Sequence, residues 1–213
     1  NNILRIPYSL QSSEISFITE TSVLKEFIIF RVNGNFPSPD FSGSGLGRIE
    51  NQNLHGSAIP DLVIITHEDF LPQAERLAAY REEKNGLDVL VTTPAAIYNE
   101  FSSGTPDVTA IRNFMVMLYE KDGSAEKLKN LLLFGDGSYD NKGITENPGN
   151  YIPTYQSDNS LSPVLSYLTD DYFAMLDPGE QMITGLLDIG VGRLPVSTLT
   201  QAEAMVDKII EYD

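Results

Sequence analysis

The pattern of apolar and polar residues changes near residue 60 of the chain. Before that point, residues 14–20 alternate polar and apolar side chains, which is typical of a strand with one buried face, and residues 25–32 are a second strand candidate. Residues 33–47 are rich in Gly, Pro and Ser and predict a loop. We therefore expect residues 1–59 to form a β-rich segment and linker, ahead of a different fold over residues 60–213.

From residue 60 onwards, continuous apolar runs alternate with amphipathic helical stretches. A strand that is buried on both faces is apolar along its whole length, and strands of this kind alternate with helices in parallel sheets. The sequence therefore predicts the α/β class, as a three-layer α/β/α sandwich with a central parallel sheet. The predicted strands lie near residues 61–66, 88–92, 130–135 and 186–191.

Helix starts carry local signals of their own. Thr93 and Thr105 each precede a proline, so each is predicted to cap a helix whose first position is that proline. Thr200 and Glu203 have the spacing of a capping box and predict the start of the last helix. The Met and Phe residues between 108 and 118 recur at helical spacing and are interpreted as core.

The charge of the chain excludes several classes of function. The 213 residues include 14 Lys and Arg against 30 Asp and Glu, a formal net charge of −16, and −15 of it falls on residues 61–213. Such a surface repels phosphate backbones and anionic lipid, so we expect no nucleic-acid partner. No apolar run approaches the roughly 20 residues that a membrane-spanning helix needs, and the first residues do not have a signal-peptide pattern, so no transmembrane segment is expected.

Cysteine is absent from the chain, and histidine occurs only at His55 and His67. These residues therefore provide no disulfide, no thiolate ligand and no cysteine nucleophile. Neither histidine lies near a Gly-x-Ser-x-Gly motif of serine hydrolases. The residues by themselves indicate a parallel α/β domain without a complete active site, and no residue is assigned a catalytic or cofactor-binding role.

Carboxylates next to two predicted strands are the candidate metal ligands. Asp136 and Asp140 follow the third strand in a Gly-Asp-Gly-Ser-Tyr-Asp segment, and Asp188 lies within the fourth predicted strand. Clustered carboxylates repel one another, and a hard cation relieves that repulsion. We expect a metal site at these three residues, with calcium as the cation and no other cofactor required. The alternative is a structural turn, since Asp and Gly favour turns.

Arg193 follows Gly192 at the end of the fourth predicted strand. Its guanidinium could bind a carboxylate with two parallel hydrogen bonds, which would brace the fold or, together with Asp136, bind a small-molecule substrate. Both uses remain open from the sequence.

Several segments, taken in their order, resemble the gingipain family of caspase-like cysteine peptidases. The resemblance runs from about residue 50 to the end, and within the family it is to the signal peptidases and sortases of the type IX secretion system of Bacteroidetes. The similar segments are residues 52–56, 94–101, 132–140, 169–173 and 188–195, with the helix at 206–210.

This resemblance implies a catalytic region of two side-by-side α/β subdomains. It implies that a Cys–His dyad cleaves a C-terminal export signal and passes the cargo to an anionic lipopolysaccharide, and that calcium is bound within the family. The dyad His stands between two glycines, and both dyad motifs follow the Gly-Arg strand and its helix. Neither His55 nor His67 has Gly on both sides. The chain is therefore expected to be the first, non-catalytic subdomain, inactive when alone.

The partners that the resemblance implies are the downstream catalytic subdomain of the same protein, secreted cargo proteins with a C-terminal signal, and other type IX secretion components. The implied location is the extracellular face of the bacterial outer membrane. The alternatives are a stand-alone acidic α/β binding or scaffold protein without catalytic activity, and a small-molecule enzyme that uses Asp136 and Arg193.

Overall fold

The computed structural model divides the chain into two compact units, Asn1–Ile49 and Glu50–Asp213. In the first unit, strand β1 (Ser9–Gln11) pairs antiparallel with β2 (Glu14–Ser16). The strand expected over residues 14–20 is thus only three residues long. The residues that the structure describes are 5–20, 22, 25, 27–31, 34, 51–123, 125–141, 144, 149–158, 161–180, 182 and 184–213.

All six residues of the hairpin are exposed, so the alternation of polar and apolar residues does not correspond to a buried face. The described residues among 25–32 contain no strand. The loop predicted over 33–47 lies, apart from Gly34, outside the described residues.

A four-stranded parallel sheet forms the centre of the second unit. Its strands stand in the order β4-β3-β5-β8, and every neighbouring pair is parallel. Two further strands, β6 and β7, form a short antiparallel ribbon within the connection from β5 to β8. The bounds are β3 Leu62–Thr66, β4 Val89–Thr92, β5 Asn130–Phe134, β6 Tyr155–Gln156, β7 Leu168–Thr169 and β8 Gly190–Leu194.

Four helices cover the sheet on both faces, which confirms the predicted three-layer fold. Neighbouring residues of a strand point to opposite faces, and the two buried clusters follow this rule. Ile64 packs with α1 and α4 on one face, whereas Val63 and Ile65 pack with α2 and α3 on the other. The bounds are α1 Leu71–Asn85, α2 Pro94–Phe101, α3 Val108–Asp122 and α4 Leu199–Tyr212. Among the described residues, no helix combines the length and apolar character needed to cross a bilayer.

Two of the predicted helix caps are wrong by two residues. Asp107, and not Thr105, caps α3, because its carboxylate accepts a hydrogen bond from the Thr109 N–H at 2.8 Å. Thr198, and not Thr200, caps α4 by accepting from the Gln201 N–H at 3.2 Å. Thr93 caps α2 as predicted.

β8 begins at Gly190, four residues later than the strand predicted near 186–191. The reason is the Asp188 carboxylate, which accepts N–H groups of Leu176 at 2.6 Å and Asp177 at 3.3 Å. These bonds fix residue 188 against the preceding loop, so the chain enters the sheet only after it.

Candidate functional site

A cleft of about 720 Å³ opens at the carboxyl edge of the sheet. The chain leaves β3 towards β4 but leaves β5 towards β8, and ligands of open α/β sheets bind at such a change of direction. The cleft is bounded by the ends of β3 and β4, the first turn of α2, the α2–α3 connection and the loop after β5. Its polar lining includes His67, Tyr98, Asn99, Asp107, Asp140 and Asn150.

The lining of the cleft supplies hydrogen-bond donors and carboxylates. Burial, and then the neighbouring Asp107 carboxylate, raises the pKa of Tyr98 to about 12, so its phenol stays protonated and can donate at neutral pH. His67 accepts the Asp69 N–H through Nδ1 at 3.2 Å, which caps the short helical turn after β3. The cleft can therefore hold a polar group, but with no cysteine in the chain it lacks the nucleophile of a cysteine peptidase.

The turn after β5 forms one side of this edge and is built on Gly135. Its φ of +153° lies in a region that glycine adopts readily, and a Cβ there would stand 2.9 Å from Cγ1 of Ile152 and 3.0 Å from Cβ of Tyr151. The next residue, Asp136, accepts the N–H groups of Tyr151 and Ile152 on its backbone oxygen, both at 3.0 Å. The tight turn therefore brings the loop wall of the cleft against the end of β5.

Replacing Gly135 by Ala is expected to destabilise the protein by about 1–3 kcal/mol, because the strained backbone and the added Cβ act together. The matched control is Gly192→Ala, since no atom lies within 4 Å of the Cβ position there. Urea unfolding monitored by circular dichroism measures both variants. Equal stability of the two variants would contradict the role given to the turn.

Arg193 braces the same edge with its whole guanidinium. Nε and Nη2 donate to the two carboxylate oxygens of Asp170 at 2.8 and 2.7 Å. Nη1 donates to the carbonyl oxygens of Gly135 at 2.9 Å and Ile152 at 2.8 Å, and Nη2 reaches that of Pro153 at 3.2 Å. The predicted two-bond pairing with a carboxylate is present. All of its donors serve the fold, so the structure gives no support to Arg193 as a substrate-binding residue.

The structure does not bring the three candidate metal ligands together. Asp136 follows the end of β5, whereas Asp188 precedes the start of β8. These neighbouring strands are parallel and in register, so Asp136 lies at the carboxyl ends of the strands and Asp188 at their amino ends. The two residues are roughly 15 Å apart for a five-residue strand. Their expected pairing rested on the misplaced start of β8.

Asp136 and Asp140 share the carboxyl edge but are bound within the fold. The Asp136 carboxylate accepts the Gly137 N–H at 2.9 Å and the Ser197 hydroxyl at 3.3 Å, and that of Asp140 accepts the Ile144 N–H at 2.9 Å. Within the described residues, no group of three or more His, Cys, Asp or Glu is placed to hold a metal. Calcium binding by Asp136 and Asp140 alone stays a prediction, which titration calorimetry without a heat of binding would contradict.

Glu100 in α2 is the centre of a cluster that the sequence did not indicate. Its side chain is 15% exposed and accepts N–H groups from Leu54 at 2.7 Å and His55 at 3.1 Å. The Gln52 amide and the His55 ring also bond to it, at 2.9 and 2.7 Å, and the ring stacks on Phe101. Burial raises the pKa of Glu100, but these hydrogen bonds outweigh it and lower the pKa to about 2. Glu100 thus fixes the segment before β3 to α2.

Glu100→Gln is expected to lower the free energy of unfolding by about 1.5–3 kcal/mol at neutral pH, the usual worth of hydrogen bonds to a charged group. The folded pKa lies below the ordinary value of 4.5, so this stabilisation is present above pH 4.5 and is lost as the pH falls towards 2. The difference in Tm between wild type and variant should therefore narrow below pH 4.5. Glu75→Gln, at an exposed position of α1, should show neither effect.

Comparison with known proteins gives the family of this fold. The sequence model of peptidase family C25 matches residues 55–213. The crystal structure of dimeric latent PorU from Porphyromonas gingivalis matches with 43% sequence identity and a TM-score of 0.70 over 78% of this chain. A search of curated protein sequences gives no match.

These matches show that the chain belongs to peptidase family C25, the gingipain family. It is a gingipain-like domain related to PorU, and the family expected from the sequence is confirmed. The chain spans 17% of the PorU chain that it matches.

Proposed function

We propose that the chain is the N-terminal, non-catalytic subdomain of a gingipain-like cysteine endopeptidase and sortase. This enzyme would remove C-terminal export signals during type IX secretion and attach the cargo to the cell surface, at the extracellular face of the outer membrane. The observation that carries the proposal is the 43% identity to PorU over 78% of the chain, within a match to family C25.

The chemistry of the site supports a role without catalysis. Cysteine-peptidase chemistry needs a thiolate and a base within hydrogen-bond reach, and the chain has no cysteine. Of the two histidines, His67 caps a turn through Nδ1 and His55 is bound to Glu100. The subdomain would therefore support a catalytic neighbour, and its partners would be that subdomain, the secreted cargo and other type IX secretion components.

The test compares two proteins on a peptide that carries an export signal: this chain, and the same chain continued through the family's Gly-His-Gly and Cys segments. Only the longer protein is expected to cleave, and replacement of its Cys by Ala should abolish cleavage. Cleavage by the short chain that survives thiol alkylation and further purification would defeat the proposal.

A second candidate is a stand-alone acidic α/β binding protein, which the 720 Å³ cleft at the carboxyl edge favours. The two candidates differ in the natural polypeptide, since a peptidase subdomain continues into the dyad segments and a stand-alone protein does not. A natural polypeptide without the Gly-His-Gly and Cys segments would favour the binding function.

A further inference from the structure

Among the described residues, no strand lies along the outer edge of β8, which we call the open edge. Within the described residues, β8 pairs with β5 only. The Gly190 N–H donates to the carbonyl oxygen of Lys129 at 2.8 Å, so the even-numbered residues of β8 bond to β5, as alternate residues do in a parallel pair. Val191 and Arg193 therefore direct their backbone N–H and C=O groups to the side away from β5.

The side chains that the structure describes around β8 do not block this edge. Natural edge strands are blocked by charged side chains, proline or bulges, because free N–H and C=O groups invite another strand. Gly192 is exposed, and no atom lies within 4 Å of its Cβ position. The Arg193 guanidinium is hydrogen-bonded to the Asp170 carboxylate and three carbonyl oxygens, so its charge does not project from the edge. Leu186 and Leu187, just before the strand, are 78% and 50% exposed.

The opposite edge of the sheet offers a matched comparison. The Leu62 N–H donates to the carbonyl oxygen of Asp88 at 3.3 Å, so the even-numbered residues of β4 bond to β3. Val89 and Val91 thus direct their backbone groups outward, as Val191 does on β8. β4 contains no glycine, and each of its side chains is at least partly buried.

We propose that, in the complete enzyme, a stretch of the same polypeptide outside residues 1–213 adds to the open edge of β8 as a further strand. This inference rests on the proposed function, which places the chain within a longer peptidase. The matched PorU chain is about six times as long as the part that this chain covers, which supplies polypeptide for such a strand.

The charge and the length of the edge favour this occupant over a second copy of the chain. Residues 61–213 carry a net charge of −15, so two copies repel each other as they approach. A five-residue strand edge forms only a few hydrogen bonds, which are too few to give a stable complex of two separate molecules. Within one polypeptide the effective concentration reaches about the millimolar range, and the same few bonds are then sufficient.

Amide hydrogen exchange tests the inference in the full-length protein. We expect the Val191 and Arg193 amides to exchange roughly 100-fold more slowly there than in the 213-residue chain, as paired strand amides do. The Val89 and Val91 amides on the other edge should change little, and those of Gly192 and Leu194 should be protected in both proteins. Val191 and Arg193 amides that exchange equally fast in the two proteins would overturn the inference.

A proline variant tests the same edge by removing one outward N–H. Val191→Pro in the full-length protein keeps the bonds between β8 and β5 but blocks strand addition, and Val91→Pro is the matched control on β4. Only Val191→Pro should abolish the slow exchange of the Arg193 amide, and unchanged exchange would count against the inference.

Peptidase activity of the same proteins separates the two hypotheses. A full-length protein that cleaves, but in which the Val191 and Arg193 amides are unprotected, would leave the proposed function standing and overturn the added strand. A full-length protein in which these amides are protected but which never cleaves would support the added strand and defeat the proposed function.

Discussion

Replacing Arg193 by Ala should reduce the free energy of unfolding by about 3 kcal/mol, the lower end of the range for breaking a buried ion pair, because both partners are only partly buried. The guanidinium is 14% exposed and the Asp170 side chain 23%. Its removal leaves the Asp170 carboxylate without its cation and the carbonyl oxygens of Gly135 and Ile152 without a donor. Because the carboxylate and the carbonyls lie on three separate parts of the chain, the variant should also loosen the loop wall of the cleft.

Two further variants separate the geometry of this network from its charge. Arg193→Lys keeps the charge but cannot match two carboxylate oxygens and three carbonyl oxygens at once, so most of the loss should remain. Arg76→Ala removes a pair with Asp207 whose partners are 43% and 46% exposed, and it should cost at most about 1 kcal/mol. Urea unfolding of the three variants provides the comparison. An Arg193→Ala protein no less stable than Arg76→Ala would contradict the bracing role.

Replacing Leu133 by Ala is expected to destabilise the protein by about 2–5 kcal/mol. Leu133 lies in β5, in the middle of the sheet, is fully buried, and packs on the face that α2 and α3 cover. Truncation removes apolar contacts and leaves a cavity that the neighbouring strands cannot close. Leu161→Ala is the control, since that side chain is 94% exposed and should change stability by less than about 0.5 kcal/mol. Equal unfolding midpoints of the two variants would place Leu133 outside the core.

The fold could be predicted from the sequence wherever burial alone determines the pattern. β3, β4 and β5 are largely apolar runs that are covered on both faces, and a run of this kind is recognisable without its neighbours. β8 contains Arg193 and exposed glycines, and its start was predicted four residues too early. β2 shows the opposite case. The alternating pattern of residues 14–20 predicts a strand with one buried face, but the structure has an exposed hairpin of three-residue strands there, and only the packing decides between the two.

The candidate site was harder to predict because its contacts join distant parts of the chain. The sequence indicated that Arg193 could bind a carboxylate, but Asp170 lies 23 residues away and nothing local selects it. The Glu100 cluster links residues that lie 45 to 48 positions apart, so the two segments could be seen to belong to the resemblance but not to contact each other. Asp136 and Asp188 were expected to lie together, but β8 begins four residues later than predicted. Asp188 therefore lies at the amino ends of the strands, whereas Asp136 lies at their carboxyl ends.

The positions of α1 and α4 restrict which part of the polypeptide can supply a strand next to β8. Both helices lie on the same face of the sheet, and α1 connects β3 to β4 across that face. Connections between parallel strands are right-handed in about 98% of cases, so a helix on that face carries the chain towards β4 and not outward past β8. A strand that pairs with the open edge of β8 should therefore run antiparallel to β8 or come from a segment well beyond α4. A β-strand that follows α4 directly would not take this position.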